Sequence, residues 1–257
     1  MIDDYRLYGT QPYRAVLVHG GPGARGELAP VARELSSEFG VVEAFQTAGT
    51  IGGLVAQLHS IIKVNCGRNV TLVGHSWGAW LVWLYASQNP DSARKIVLVG
   101  AGPFQPRYAD GIMEKRFSRL SDADKAECVM LANRLNADPS AMERFGGIMR
   151  RADTFDETPG AYESGGFDMT QYDTIWPEAE KLRSDGRLLD AGRTIRCRVT
   201  AIHGDYDPHP ADGVRIPLMG IIPDLKFVLL KDCGHSPWVE RQARGLFFDI
   251  LKSEILE

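Results

Sequence analysis

The order of apolar and polar positions predicts strands alternating with helices over the first hundred residues. Short continuous apolar runs predict strands buried on both faces, and apolar residues spaced three or four apart between them indicate helices. This alternation is typical of a parallel sheet covered by helices on both faces. The predicted strands are 13–18, 41–47, 70–73 and 95–100, and the predicted helices are 28–39, 51–66 and 77–89.

The alternation stops after residue 102 and resumes near residue 195. Between these points the chain is polar and mostly helical, without a buried-strand run, so we predict a helical cap, 103–194, inserted in a core of 1–102 and 195–257. The cap helices are predicted at 122–136 after Ser121, at 139–151 after Asp138 and at 176–186, around a loop at 154–172. The core continues with strands at 198–203 and 226–231 and helices at 211–219 and 237–255.

Composition and charge narrow the class of protein. A hydrophobic content of 44% and a net charge of −4, with no Lys/Arg stripe, indicate a globular protein that binds no nucleic acid. The N-terminus has no apolar signal region, and the longest apolar run, 79–86, is too short for a membrane span. The four cysteines are scattered along the chain without a Cys-x-x-Cys pair, which indicates reduced thiols. We therefore expect a cytoplasmic protein with a small-molecule substrate, no membrane partner and no cofactor; its oligomeric state is not predicted.

One turn carries the most specific chemical signal. A buried strand leads into Gly74-His75-Ser76-Trp77-Gly78, and an apolar helix follows directly. A turn this sharp strains the backbone at the serine and leaves no room for side chains at the two glycines. It would present the Ser76 hydroxyl at the carboxyl edge of the sheet, so Ser76 is the candidate nucleophile.

A serine nucleophile needs a base, and an imidazole base needs a carboxylate to orient it. Two later strands end at the same sheet edge, and their loops supply both groups. His235 is the candidate base. The candidate acids are Asp207, its rival Asp205, for which a brace of its own turn is the competing interpretation, and the weaker Asp232; Asp207 is favoured mostly by the family resemblance described below. The oxyanion needs two N–H donors, for which we favour Trp77, at the helix start, and Gly21, in His19-Gly-Gly-Pro-Gly.

These motifs resemble the α/β-hydrolase fold. The order Ser76, Asp207, His235, with His-Gly-Gly-Pro-Gly after an early strand, is most similar to the proline iminopeptidase branch. The resemblance covers nearly the whole chain and implies the same triad and the oxyanion hole of Gly21 and Trp77. It implies a serine hydrolase that cleaves an ester, amide or lactone through an acyl-enzyme. A proline iminopeptidase-type aminopeptidase, a non-hydrolytic lyase and a ligand-binding receptor stay open as alternatives.

Two further sets of residues have competing interpretations. His203, Asp205, Asp207 and His209 alternate as ligands to a metal would, but Gly204 and Pro208 break the strand, so these side chains need not converge, and we expect no metal. Aromatic residues, most of them in the cap, either line a substrate pocket or form a small core of their own. The candidates for the pocket are Phe104, Tyr108, Tyr162, Tyr172, Trp176 and Trp238.

Overall fold

The computed structural model describes residues 4–67, 70–135, 138–163 and 165–257. Its centre is a seven-stranded sheet with the order β1-β3-β2-β4-β5-β6-β7, in which every neighbouring pair is parallel except β1 with β3. The predicted parallel sheet is therefore confirmed. The strands are β1 (Tyr5–Tyr8), β2 (Tyr13–Val18), β3 (Gly40–Ala44), β4 (Val70–His75), β5 (Ala93–Val99), β6 (Arg198–Gly204) and β7 (Lys226–Leu230).

Helices cover both faces of the sheet because its central strands are apolar on both sides. One face packs against α2 (Ile51–Asn65), α3 (Trp77–Gln88) and α9 (Asp212–Met219). The other face packs against α1 (Ala29–Leu35) and α10 (Arg244–Leu256). The loops that follow β2, β4, β6 and β7 all leave the sheet at its carboxyl edge, which is where ligands bind in parallel sheets.

Residues 103–194, called the helical insert below, connect β5 to β6. The insert contains α4 (Ile112–Arg119), α5 (Asp122–Ala132), α6 (Pro139–Asp153), α7 (Met169–Ser184) and α8 (Arg187–Asp190). Its helices α4, α5 and α6 share a small apolar core that includes Leu131 and Ile148. The predicted N-caps are confirmed, since Ser121 Oγ accepts from Asp124 N at 3.1 Å and Asp138 Oδ1 from Ser140 N at 2.9 Å. No helix in the described residues has the length and apolar character needed to cross a bilayer.

Several predicted boundaries were wrong. Helix α7 begins at Met169 and not at Trp176, because Asp168 caps it by accepting from Gln171 N at 3.0 Å, and Pro177 lies within the helix. The final helix begins at Arg244, after a separate 3₁₀ turn, Pro237–Val239, where we predicted one continuous helix. The helix predicted over 28–39 is shorter, and β1 and α4 were not predicted. Asn136, the predicted end of α5, lies outside the described residues.

Candidate active site

The sharp turn between β4 and α3, called the elbow (Gly74–Gly78), has the predicted strained backbone. Ser76 adopts φ 53° and ψ −118°, and its N–H donates to Val99 O at 2.9 Å. A Cβ on Gly78 would overlap the Val18 carbonyl oxygen, and one on Gly74 would overlap the Gly78 carbonyl oxygen. Because no other residue type fits at these two positions, the elbow geometry depends directly on the glycines.

Asp207 and His235 lie on neighbouring loops at the same sheet edge as Ser76. Asp207 belongs to the β6 loop (Asp205–Pro210) and His235 to the β7 loop (Lys231–Ser236), and His235 Nδ1 is 2.8 Å from Asp207 Oδ2. The rival Asp205 uses its Oδ1 to accept from Cys233 N at 3.3 Å, which braces the β7 loop. Among the described hydrogen bonds, Asp207 is the only candidate acid joined to His235.

The environment of this pair keeps the carboxyl group ionised. Burial by itself raises the pKa of Asp207, but the charges of His235 and His209 and the hydrogen bond from His209 outweigh it, so the pKa lies well below its usual range. Burial lowers the pKa of His235, but the charge and hydrogen bond of Asp207 outweigh that effect and raise it overall. An ionised carboxylate on Nδ1 leaves Nε2 as the basic nitrogen of His235.

Asp207 has a second imidazole partner, which the sequence interpretation missed. His209 Nδ1 lies 2.8 Å from Asp207 Oδ1, and its ring lies against that of His235 with centroids 4.5 Å apart. His203 Nε2 is 3.5 Å from Asp207 Oδ2. The broken strand left convergence of the four side chains open, and three of them, His203, Asp207 and His209, do come together because the β6 loop folds back onto the end of β6.

This cluster also has the composition of a metal site. Ligand atoms of Asp207, His209 and His235 lie within 4.8 Å of one another. Both Asp207 oxygens, however, already accept hydrogen bonds from imidazole nitrogens. A cation at this point would have to displace those protons, so the arrangement fits a hydrogen-bond network around one carboxylate better than a vacant ligand set.

The candidate oxyanion donor Trp77 follows Ser76 directly, and the other candidate, Gly21, follows Gly20, where an added Cβ would lie 3.1 Å from Ser76 Cβ. Trp77 N–H opens α3, so it belongs to the helix N–H groups that have no intrahelical acceptor. Gly21 lies in the glycine turn (His19–Gly23), with φ 21°, and the ring of Phe167 from the helical insert packs beside it. Asp168 N also donates to Gly23 O at 3.0 Å, so the insert contacts the glycine turn directly.

The aromatic residues predicted for a pocket separate into two groups. Phe104 and Trp238 are 0% and 2% exposed and belong to the two cores, so of the two interpretations the packing role fits them and the substrate pocket does not. Their apolar bulk is used for packing, Phe104 against Trp83 and Trp238 against His75, with ring centroids 5.1 Å and 4.7 Å apart.

The remaining aromatic residues are partly exposed. Trp176 stacks on Trp80 at 5.9 Å and on Tyr172 at 5.6 Å, with ring planes within about ten degrees of parallel. Tyr108 and Tyr162 instead lie under the guanidinium groups of Arg107 and Arg150. Trp176 and Tyr172 are therefore the candidates that continue from α3, beside the elbow, into the helical insert.

Two carboxylates that the sequence interpretation did not single out brace the site. Glu240 is fully buried and accepts three backbone N–H groups, from Gly234 at 2.7 Å, Phe155 at 3.0 Å and Asp156 at 2.8 Å. It thereby joins the β7 loop to the end of α6. Glu27 accepts from Gly20 N in the glycine turn and contacts His75. Neither residue lies in a recognisable motif, so no local signal identified them.

Cys233, which lies near the candidate base His235, is a poor candidate for the nucleophile. Cys233 is fully buried, and its Sγ donates to Gly234 O at 3.5 Å. Burial raises the pKa of this thiol well above its usual range, with the negative charges of Glu240 and Asp207 adding to the effect. The thiolate, which is the reactive form, is therefore strongly disfavoured at this position.

Comparison with known proteins agrees with the fold. The structure of VinJ is 16% identical, with a TM-score of 0.69, covering 98% of this chain and 94% of VinJ. The Paleococcus ferrophilus monoacylglycerol lipase is 19% identical, with a TM-score of 0.61 and coverage of 98% and 97%. The Mycobacterium smegmatis proline iminopeptidase is 15% identical, with a TM-score of 0.65 and coverage of 98% and 95%.

At these sequence identities the similarity shows a shared fold and gives no information about the substrate. A search of curated protein sequences finds no match to the chain. The model of the alpha/beta hydrolase family, in contrast, matches residues 15–247, a range that includes the glycine turn, the elbow, Asp207 and His235. The protein is therefore a member of the alpha/beta hydrolase family.

Proposed function

We propose that the protein is a serine hydrolase that cleaves a carboxylic ester, amide or lactone through an acyl-enzyme. The observation that carries the proposal is the 2.8 Å hydrogen bond between His235 Nδ1 and Asp207 Oδ2, at the sheet edge from which Ser76 projects. A serine hydroxyl becomes a nucleophile when a base accepts its proton, and the paired imidazole meets that need.

In the first half of the reaction, Ser76 Oγ attacks the substrate carbonyl carbon while His235 Nε2 takes its proton. The carbonyl oxygen becomes an oxyanion that accepts from the N–H groups of Gly21 and Trp77. The bond to the leaving group then breaks, and His235 returns the proton to the departing oxygen or nitrogen. Water attacks the resulting acyl-Ser76 ester by the same steps, which releases the acid and restores the hydroxyl.

Asp207 orients the base and stabilises its charged form. Its depressed pKa keeps it a carboxylate, so it holds a proton on His235 Nδ1 and offsets the charge of the imidazolium. The raised pKa of His235 follows from the same contact. Because kcat/KM reports the free enzyme, we expect activity to fall as the pH drops through the pKa of His235.

The proposal leaves the leaving group open. Two similar structures are named a monoacylglycerol lipase and a proline iminopeptidase, and at 19% and 15% identity they support the acyl-transfer scaffold and no single substrate. Trp176 and Tyr172 are the partly exposed aromatic residues proposed to contact a small-molecule substrate.

Covalent labelling tests the proposal before any substrate is known. Wild type and His235→Ala are treated with a fluorophosphonate, and the adduct is located by intact mass and peptide mapping. We expect one adduct, on Ser76, that forms much more slowly in His235→Ala. Ser76→Ala is the control and should remain unlabelled. Absence of an adduct on folded wild-type protein would contradict the proposal and favour a receptor.

Kinetics on esters, lactones and N-terminal proline amides then test the triad as a unit. We expect Ser76→Ala to lower kcat by as much as about 10⁶-fold, and His235→Ala added to it to cost little more, because the base acts only through the serine. Losses that multiply would show that the two residues work separately. Products other than the hydrolytic acid would indicate a lyase.

A further inference from the structure

His75, the residue before Ser76, makes two hydrogen-bond contacts that connect separate parts of the site. It is 3% exposed, and its Nδ1 lies 2.8 Å from Glu27 Oε1. Its Nε2 lies 3.1 Å from His235 O in the β7 loop. His75 thus contacts the loop of the proposed base from within the elbow itself.

Both ring nitrogens of His75 therefore face acceptors. A carbonyl oxygen has no proton to give, and a carboxyl group ordinarily binds its proton more weakly than an imidazole, so the proton between Glu27 Oε1 and His75 Nδ1 belongs to the ring. A neutral imidazole carries one N–H and would satisfy one contact only. Two contacts to acceptors require protons on both nitrogens, which is the imidazolium form.

Glu27 extends the connection to the third part of the site. The Oε1 atom that contacts His75 also accepts from Gly20 N, directly before the proposed oxyanion donor Gly21. The Glu27 side chain is 16% exposed, so its charge is only partly screened by water. One carboxylate oxygen thus fixes both the His75 ring and the backbone of the glycine turn.

We propose that Glu27 and His75 form an ion pair that holds the glycine turn, the elbow and the β7 loop in register, so that both are positioning residues for the reaction at Ser76. The inference rests on the proposed function for its kinetic consequence. Without the carboxylate, one ring proton would have to serve two contacts, so His75 would keep either its contact with residue 27 or its contact with His235 O, but not both. The proposed base and the oxyanion donor would then lose a common anchor.

Kinetics of Glu27→Gln measure this consequence. The amide keeps the size of the side chain and an acceptor for Gly20 N, but it removes the charge. We expect kcat to fall on the order of 10- to 100-fold with KM nearly unchanged, as for small displacements of catalytic groups. The matched control is Glu34→Gln, which removes a partly exposed carboxylate from the surface pairs with Arg244 and Lys252 and should leave both constants unchanged.

A double-mutant cycle tests whether the two residues act together. If Glu27 and His75 affect kcat only as a pair, Glu27→Gln added to His75→Gln should lower kcat no further than His75→Gln alone. Losses that multiply would overturn the pairing, as would a Glu27→Gln variant with wild-type kcat and KM.

Nitrogen NMR provides a readout that does not depend on activity. The chain has six histidines, so ¹⁵N-histidine labelling gives few signals, and the His75 signals are those lost in His75→Gln. Near neutral pH we expect protons on both His75 nitrogens in wild type and on one in Glu27→Gln. A neutral His75 in wild type would overturn the ion pair even if Ser76 is labelled. An imidazolium in a protein that fails to label would support the ion pair while the proposed function fails.

Discussion

Asp207 is shared between two imidazole rings, and this sharing controls how strongly it acts on His235. Its Oδ2 contacts His235, whereas its Oδ1 accepts from both Nδ1 and the backbone N–H of His209, at 2.8 and 2.9 Å. Burial lowers the pKa of His209 to about 4, with the charge of Asp207 opposing the shift, so His209 is neutral near pH 7. It acts there as a hydrogen-bond donor that disperses the negative charge of Asp207.

Removing His209 should therefore change the pH dependence of activity. In His209→Leu the Asp207 carboxylate loses a donor, so its charge acts more strongly on His235 and raises the pKa of that imidazole further. We expect the acid limb of kcat/KM to move to higher pH, measured as a full pH profile. This variant leaves unchanged the other groups that contact the Asp207–His235 pair or act on it electrostatically. These groups are His203, His75, Arg116, Asp153 and Lys115.

His59→Leu is the matched control for that profile. His59 lies on α2, with Nδ1 3.3 Å from the Tyr85 hydroxyl, and has no contact with Asp207 among the described residues. Its profile should coincide with that of wild type. An acid limb in His209→Leu that stays in place or moves to lower pH would contradict the charge-sharing account.

At the scale of elements, the helical insert and the core are joined through the loops that carry the candidate site. The end of α6 supplies Asp153 O, which accepts from His235 N at 2.8 Å, and α4 supplies Lys115 Nζ, which donates to Asp207 O at 3.1 Å. Arg119 of α4 also donates to Tyr206 O at 2.6 Å. The positions of both loops therefore depend on helices that are distant in sequence.

Glu240 also joins the helical insert to the core at this junction. Glu240→Ala would leave three backbone N–H groups, including that of Gly234, without their acceptor in a buried site. Each unsatisfied buried donor costs about 1–3 kcal/mol, so we expect a loss of at least about 3 kcal/mol in the free energy of unfolding. Urea denaturation measures it, and Glu257→Ala, at the exposed C-terminus, is the control. A loss below about 1 kcal/mol would mean that water replaces the carboxylate.

At the scale of the whole molecule, a buried ionic cluster fastens α10 to the sheet away from the candidate site. Glu254 accepts from Lys95 of β5 and Lys226 of β7, both at 2.6 Å, and from Thr200 of β6 at 3.0 Å. Lys95 and Glu254 are each 2% exposed. Breaking such a pair leaves a buried charge uncompensated, which typically costs about 3–5 kcal/mol.

The same cluster makes stability dependent on pH. Burial raises the pKa of Glu254, but the hydrogen bonds from the two lysines outweigh it and lower the pKa below its ordinary value of 4.5. A depressed carboxyl pKa contributes stability that is complete above the unfolded-state pKa and is lost as the pH falls through the folded-state pKa. We therefore expect the free energy of unfolding to decrease from about pH 5 downward.

Glu254→Gln tests this contribution. The variant should be less stable than wild type at pH 7 and should lose less stability between pH 7 and pH 3, because one depressed carboxyl group is gone. Urea titrations at several pH values measure both effects. Asp122→Asn, an exposed position on α5, is the control and should follow wild type. Equal losses in wild type and Glu254→Gln would show that the cluster does not contribute.

Some strands and helix caps could be predicted from the sequence because they depend on residues that are close together along the chain. The apolar runs of β2, β4 and β5 indicated buried strands, and the caps at Ser121 and Asp138 depend on residues two or three positions away. The helix starts predicted at Pro177 and Pro237 were wrong. A proline is tolerated in more than one position of a helix or turn, and the neighbouring residues do not show which position it occupies.

The sequence by itself determined the parallel sheet, the elbow and the identity of its serine, because strand burial and a glycine-bounded turn depend on residues next to one another. Only the tertiary structure decided that Asp207 and not Asp205 contacts His235. The two residues lie in one turn, and the sequence does not show in which direction each side chain projects. The tertiary structure likewise decided the positions of Glu27, His209 and Glu240, which have the sequence appearance of ordinary polar residues. Glu27 and Glu240 contact residues from distant segments, and His209 contacts Asp207 because the β6 loop folds back on itself. The burial and the contacts of all three therefore depend on the whole fold.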